Sequence, residues 1–119
     1  FCLGSVGPGT KLPSLGHIGY DEMFEGYTEF CKALIDGGVD IFLLETAQDP
    51  LQIKAALHAC TEANKQMQTQ IPIMVSVTIE LSGTMLIGTD AQTIATILEP
   101  FDILSLGFNC GTGPQQVLK

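Results

Sequence analysis

The chain has 119 residues, of which 45% are apolar and only 15% charged, and its net charge is −8. Five basic residues against thirteen acidic ones offer no cation cluster for phosphate, which excludes nucleic acid as the main partner and disfavours an anionic membrane surface. So apolar a chain buries much of itself and is not disordered. Its longest apolar runs, about six residues, fall far short of the roughly 20 needed to span a bilayer.

The first strand is expected over Phe1 to Val6, followed by a long Gly/Pro-rich loop from Gly7 to Gly19. A helix is expected over Asp21 to Ile35, with Met23, Tyr27, Phe30, Cys31 and Leu34 in one stripe. Gly37-Gly38 stops it. Asp40 to Glu45 reads as the second strand. Asp49 and Pro50 then open a second helix as cap and first-turn proline, and its stripe runs from Ile53 to Met67. Ile71 to Thr78 is the third strand, and the loop after it, Ile79 to Gly88, has room for a small hairpin. A third helix starts near Thr89-Asp90 and ends before Pro100. Phe101 to Phe108 is the fourth strand, and Pro114 begins a further helix.

Each strand is a nearly continuous apolar run, the pattern of parallel strands covered on both faces. The later strands start about 30 residues apart, and a (β/α)8 barrel of roughly 250 residues has about 31 per unit. A doubly wound sheet is the other arrangement for this order, and the even spacing favours the barrel. The expected fold is α/β: a partial TIM barrel of about four βα units, in one domain over residues 1–119. The chain begins inside an apolar segment without a basic n-region and stops just after a helix has begun, so it reads as an excerpt from a longer protein. A half barrel exposes two sheet edges, in keeping with a positive mean hydropathy. The four cysteines, Cys2, Cys31, Cys60 and Cys110, lie far apart with no C-x-x-C pair. That usage fits a reduced, cytoplasmic protein. Cys2, Cys31 and Cys60 sit on apolar segments and read as core.

In both parallel architectures the active site is built at the C-terminal strand ends. The polar residues there are Ser5, Glu45, Ser76, Thr78, Asn109 and Cys110. Glu45 closes the run Ile41-Phe42-Leu43-Leu44 and either holds a substrate ammonium group or caps the following loop. Cys110 is a nucleophile, a metal ligand or an inert thiol. Neither His17, in the loop, nor His58, on a helix, pairs with it in sequence. His17 reads as a loop hydrogen-bonding residue. Glu22, Glu25, Glu29 and Asp36 read as the solvated face of the first helix. The glycines Gly4, Gly7 and Gly9 only superficially match a phosphate-cradling turn, because Pro8, Lys11 and Pro13 intervene before any helix.

The segment from Gly4 to His17, GSVGPGTKLPSLGH, resembles the third-strand loop of the homocysteine-binding domain of cobalamin-dependent methionine synthases. Gly37-Gly38-Val39-Asp40, Leu44-Glu45-Thr46, Gln48 to Ala56, Ser82 to Asp90 and Gly107 to Pro114 continue the resemblance in order. Phe108 stands where Leu is commoner. The resemblance implies a (β/α)8 barrel of which this chain holds strands three to six. It implies zinc held by three cysteines: Cys110, and an adjacent Cys-Cys pair at the eighth strand that is absent here. It places Glu45 against the homocysteine amino group and Asn109 beside the first zinc ligand, so both are expected to bind substrate. Zinc would deprotonate the homocysteine thiol, which would accept a methyl group from methylcobalamin. The expected partners are homocysteine and the cobalamin- and folate-binding domains of the same parent chain. The alternatives are a sibling methyltransferase using betaine or S-methylmethionine, and a non-catalytic α/β module binding a small anion through Gly7 to Thr10. Alone, these 119 residues are expected to hold zinc weakly or not at all, because Cys110 is a single ligand and structural sites need four; a tight one-to-one complex in equilibrium dialysis would contradict this.

Overall fold

A computed structural model describes residues 1–111 and 113–117. Its main elements in chain order are β1 (Leu3–Val6), α1 (Tyr20–Asp36), β2 (Ile41–Ala47), α2 (Pro50–Met67), β3 (Ile73–Val77), α3 (Ala91–Leu98), β4 (Ser105–Phe108) and a single turn, α4 (Pro114–Val117). The end of the last expected helix, at Leu118 and Lys119, lies outside the described residues.

The four strands are all parallel and lie in the order β1-β2-β3-β4. Each new strand therefore adds to the same edge, and α1 packs directly against α2. A doubly wound sheet would reverse direction and carry helices on both faces. This winding is that of a (β/α)8 barrel.

Burial alternates along the strands rather than running continuously. Val6, Phe42, Leu44, Ile73, Val75 and Val77 face the helices and form the core with Cys31, Ile53, Leu57, Cys60, Ile94 and Leu98. The alternate residues, Leu3, Ser5, Ile41, Leu43, Glu45, Met74 and Ser76, are exposed or half-buried. The expectation that both faces are covered thus holds only for the helix side. Apolar Leu3, Ile41, Leu43 and Met74 on a face without helices have the composition of a barrel interior.

The helix boundaries follow local chemistry. α1 begins with Asp21 and Glu22 in its first turn, where carboxylates favour the positive end of the helix dipole. It ends at Gly37-Gly38, where Gly38 adopts φ 87° as a left-handed terminator. Asp90 caps α3, accepting from Thr93 N at 2.7 Å.

The strand bounds differ from those expected: β1 begins at Leu3 rather than Phe1, β2 runs Ile41–Ala47 rather than Asp40–Glu45, and β3 runs Ile73–Val77 rather than Ile71–Thr78. The fourth strand is Ser105–Phe108 rather than Phe101–Phe108. Phe101 to Ile103 form a turn, with Phe101 N donating to Leu98 O, and the Phe101 and Ile103 side chains pack against the core. An apolar run does not by itself separate a strand from a buried turn. Cys2, expected in the core, is exposed and lies just before β1, which begins at Leu3. The loop after β3 does contain a hairpin-like bridge, Thr84 to Asp90, pinned by the fully buried Met85.

The long first loop is anchored by Asp49. This fully buried carboxylate accepts from Leu51 N at 2.9 Å, capping α2. It also accepts from Ser14 N at 2.9 Å and Ser14 Oγ at 2.6 Å. One side chain therefore starts α2 and ties down the short 3-10 turn Pro13–Leu15. Asp49→Ala would remove the cap of α2 and leave the Ser14 amide without its partner. It is expected to cost about 2–3 kcal/mol, read as a lowered urea midpoint for unfolding.

Candidate functional site

The C-terminal ends of β2, β3 and β4 meet at an irregularity in the sheet. β2 pairs regularly with β3 through Leu44–Val75, and the next pair is Ala47–Val77. Glu45 and Thr46 therefore oppose Ser76 alone, which is a β-bulge, a feature common beside active sites. Thr46 takes φ 57°. A β-branched residue in the left-handed region is strained by about 1–3 kcal/mol, so its surroundings must hold it there.

Asn109, just past β4, does this. Its Oδ1 accepts from Thr46 N at 3.1 Å and from Ser76 Oγ at 2.7 Å. Its Nδ2 donates to Thr46 Oγ1 at 2.8 Å and to Cys110 Sγ at 3.3 Å. Its backbone N–H donates to Val77 O, and its carbonyl accepts from Thr78 Oγ1 at 3.0 Å. Cys110, the next residue, also turns left-handed, with φ 53°, and its thiol is free and exposed.

Glu45 points to the sheet face away from the helices and accepts a hydrogen bond from Ser5 Oγ on β1. The cap of the following helix is Asp49, so Glu45 is not that cap. Leu43, Glu45, Met74, Ser76 and Asn109 line a cleft of about 270 Å³ on this face. All six sequence-selected polar residues are thus joined by hydrogen bonds to another member: Ser5 to Glu45, and Ser76 and Thr78 to Asn109. Cys110 is tied to Asn109 in the same way. Thr46 was not among the six. Its only signal in the sequence was its place beside Glu45, two residues beyond the apolar run.

The remaining thiols and histidines stand elsewhere. Cys31 and Cys60 are fully buried between α1 and α2, with their sulfurs 3.6 Å apart, and the hydrogen bond with Cys31, together with burial, pushes the Cys60 thiol up. They are packing residues. His17 Nδ1 accepts from Leu12 N at 3.1 Å and closes the first loop. His58 hydrogen-bonds Tyr20 on the helix side. A larger groove, about 650 Å³, lies between Gly7–Lys11 and α1. It is no anion cradle: no helix opens at these glycines, and Asp21 and Glu22 occupy the first turn of α1.

Gly111 follows Cys110 against the third loop. A Cβ there would stand 2.3 Å from the Ile79 carbonyl oxygen, a backbone collision. Gly111→Ala is expected to destabilise by about 1–3 kcal/mol and to displace Cys110. A lower melting temperature is the measurable result.

Comparison with known proteins gives the family and the fold. The sequence profile of the homocysteine S-methyltransferase family matches residues 1–119. The methionine synthases of Mycobacterium leprae and Mycobacterium tuberculosis are each 44% identical over 117 residues, 98% of this chain. The chain spans about a tenth of the length of these relatives (10%). Among solved structures, the apo homocysteine methyltransferase MmuM from Escherichia coli superposes with a TM-score of 0.76 at 22% identity. That match covers 98% of this chain and 41% of the other, and it establishes the fold as part of a (β/α)8 barrel. With its whole length matched by the family profile and its strand ends arranged around Glu45, Asn109 and Cys110, this chain belongs to the homocysteine S-methyltransferase family.

Proposed function

We propose that the chain forms part of a barrel that binds homocysteine and methylates its sulfur to give methionine, as one section of a methionine synthase. The observation that carries this is the meeting of Glu45, a carboxylate facing the cleft, with the exposed Cys110 thiol through Thr46 and Asn109 at the strand ends. Family membership and the 44% identity to methionine synthases support it.

Glu45 takes the homocysteine ammonium group. Ser5 holds one carboxylate oxygen, and the other is left for the substrate. Leu43 and Met74 line the same cleft and suit the methylene stem. Asn109 borders the cleft beside them.

Cys110 fits one position of a zinc site. Its thiol is free and exposed, and an amide N–H points at its sulfur, an arrangement that favours a thiolate ligand. Among the described residues no group of three His, Cys, Asp or Glu stands together for a metal, so the other two ligands, an adjacent cysteine pair, come from elsewhere in the parent protein. Zinc, when bound, would supply the positive charge that keeps the substrate sulfur deprotonated near neutral pH.

The sulfur lone pair forms the new S–CH3 bond, and the methyl carrier leaves with the electron pair of the bond that breaks. The carrier is proposed to be methylcobalamin, held with the folate-binding domain on other parts of the parent chain. No residue here is assigned to it. The methionine synthase relatives favour it over betaine or S-methylmethionine. No helix among the described residues is long and apolar enough to cross a membrane, and the cytoplasm, where substrate thiol and Cys110 stay reduced, is the proposed compartment.

Three measurements on the full-length protein test this. Glu45→Gln is expected to raise the homocysteine KM by about 10- to 100-fold with a smaller change in kcat, in steady-state kinetics; an unaltered KM would remove the ammonium role. Cys110→Ser is expected to lose both zinc, by metal analysis, and methionine formation. Supplying methylcobalamin, betaine or S-methylmethionine separately and assaying methionine identifies the donor, with product expected from methylcobalamin.

A further inference from the structure

We infer that Asn109 is a positioning residue, a clip that holds the left-handed turns of Thr46 and Cys110 and thereby sets Glu45 and Cys110 relative to each other. The inference rests on the homocysteine reading above and assigns the asparagine a role one step behind the substrate.

A side-chain amide has two acceptor positions on its oxygen and two N–H donors. At Asn109 all four are used within the protein. Oδ1 receives Thr46 N–H and Ser76 O–H, and Nδ2 serves Thr46 Oγ1 and Cys110 Sγ. Nothing remains for a substrate ammonium or carboxylate.

What the four bonds do is geometric. Two of them grip Thr46 from both sides, at its backbone N–H and its hydroxyl. Thr46 is the residue of the bulge that departs from strand geometry, with φ 57°, at a position where Thr alone would relax to an extended conformation. Glu45 precedes it directly, so the Thr46 turn aims the Glu45 carboxylate. A third bond reaches Cys110, whose own φ is 53°. The fourth, from Ser76, fixes the amide plane against β3. Asn109 itself is anchored to β3 through Val77 O and Thr78 Oγ1. Three strand ends therefore share one amide, and the two residues expected to touch substrate or metal flank it.

Asparagine is the side chain suited to this place. Aspartate has no N–H to offer Cys110 Sγ. Leucine fills a similar volume but leaves the Thr46 N–H without its partner. A displacement of about 1 Å at reacting groups can cost about 100-fold in rate, so the clip has catalytic consequences without touching the substrate.

The test uses the full-length protein and a double-mutant cycle. Asn109→Ala is expected to raise the homocysteine KM about tenfold or more and to lower kcat. Thr46→Gly alone is expected to be mild, because glycine adopts positive φ freely. The double variant Asn109→Ala/Thr46→Gly is expected to recover part of the KM loss, since glycine needs no clip. A residue that merely supports folding would reduce the yield of active enzyme and leave KM unchanged. A KM for Asn109→Ala within twofold of the unaltered enzyme, or a double-variant KM equal to the product of the two single effects, would overturn the clip. Should Asn109→Ala not fold, Asn109→Asp keeps the Oδ1 contacts and is read the same way, with an intermediate rise expected and an unchanged KM overturning the inference. Absence of homocysteine methylation in the unaltered protein would sink the functional reading alone. The clip is then judged by thermal unfolding, where non-additive melting shifts for Asn109→Ala and Thr46→Gly support it and additive shifts overturn it.

Discussion

Side chains along a parallel strand alternate between two faces, and in this chain the two faces have different tasks. Val6, Phe42, Leu44, Ile73, Val75 and Val77 go to the helices, where burial of apolar surface stabilises by roughly 25 cal/mol per Å². Ser5, Glu45 and Ser76 go to the other face, together with Leu43 and Met74. A one-residue slip of any strand would send its polar residues into the core and its core residues into the cleft. The ladder register, Ser5 beside Leu43 and Leu43 beside Met74, is thus a condition for both stability and chemistry.

The alternation is broken once, after Leu44. The bulge at Glu45 and Thr46 costs a ladder pair and places a β-branched residue at positive φ. Such a departure persists only where neighbouring groups overdetermine it. Asn109 supplies those groups from the far strand, 63 positions away in sequence. Two carboxylates only four positions apart then take opposite roles. Asp49 is fully buried, with its hydrogen bonds given to Ser14 and Leu51, and it serves the scaffold. Glu45 keeps contact with one hydroxyl and faces the cleft. Environment, not residue type, separates the structural acid from the one available to a ligand.

The cysteines divide in the same manner. Cys31 and Cys60 fill the α1–α2 interface with no access to solvent. Cys110 sits on a strand-end turn, exposed, beside an amide N–H. A thiol becomes a metal ligand or nucleophile through its surroundings, and Cys110, unlike Cys31 and Cys60, is exposed at the strand ends.

Much of this was legible in the sequence. The βα order, the even spacing, Gly37-Gly38, Asp49-Pro50 and Asp90 are local signals, because caps, turns and apolar runs act over a few residues. Glu45, Asn109 and Cys110 were legible as strand-end polar residues for the same reason. What the sequence could not carry were contacts between distant positions. Phe101 to Ile103 have the composition of a strand but pack as a turn, since an apolar run records burial and not backbone conformation. The strands read as covered on both faces because barrel-interior residues such as Leu43 and Met74 are as apolar as the core. Nothing in the sequence marked the left-handed backbone of Thr46, which is held by a partner on another strand. The sequence by itself determined which segments form strands and helices and which polar groups stand at their ends. Only the tertiary structure decided the sheet order, which face each polar group occupies and that one amide joins three strand ends, because those depend on hydrogen bonds closed across long loops rather than on local preference.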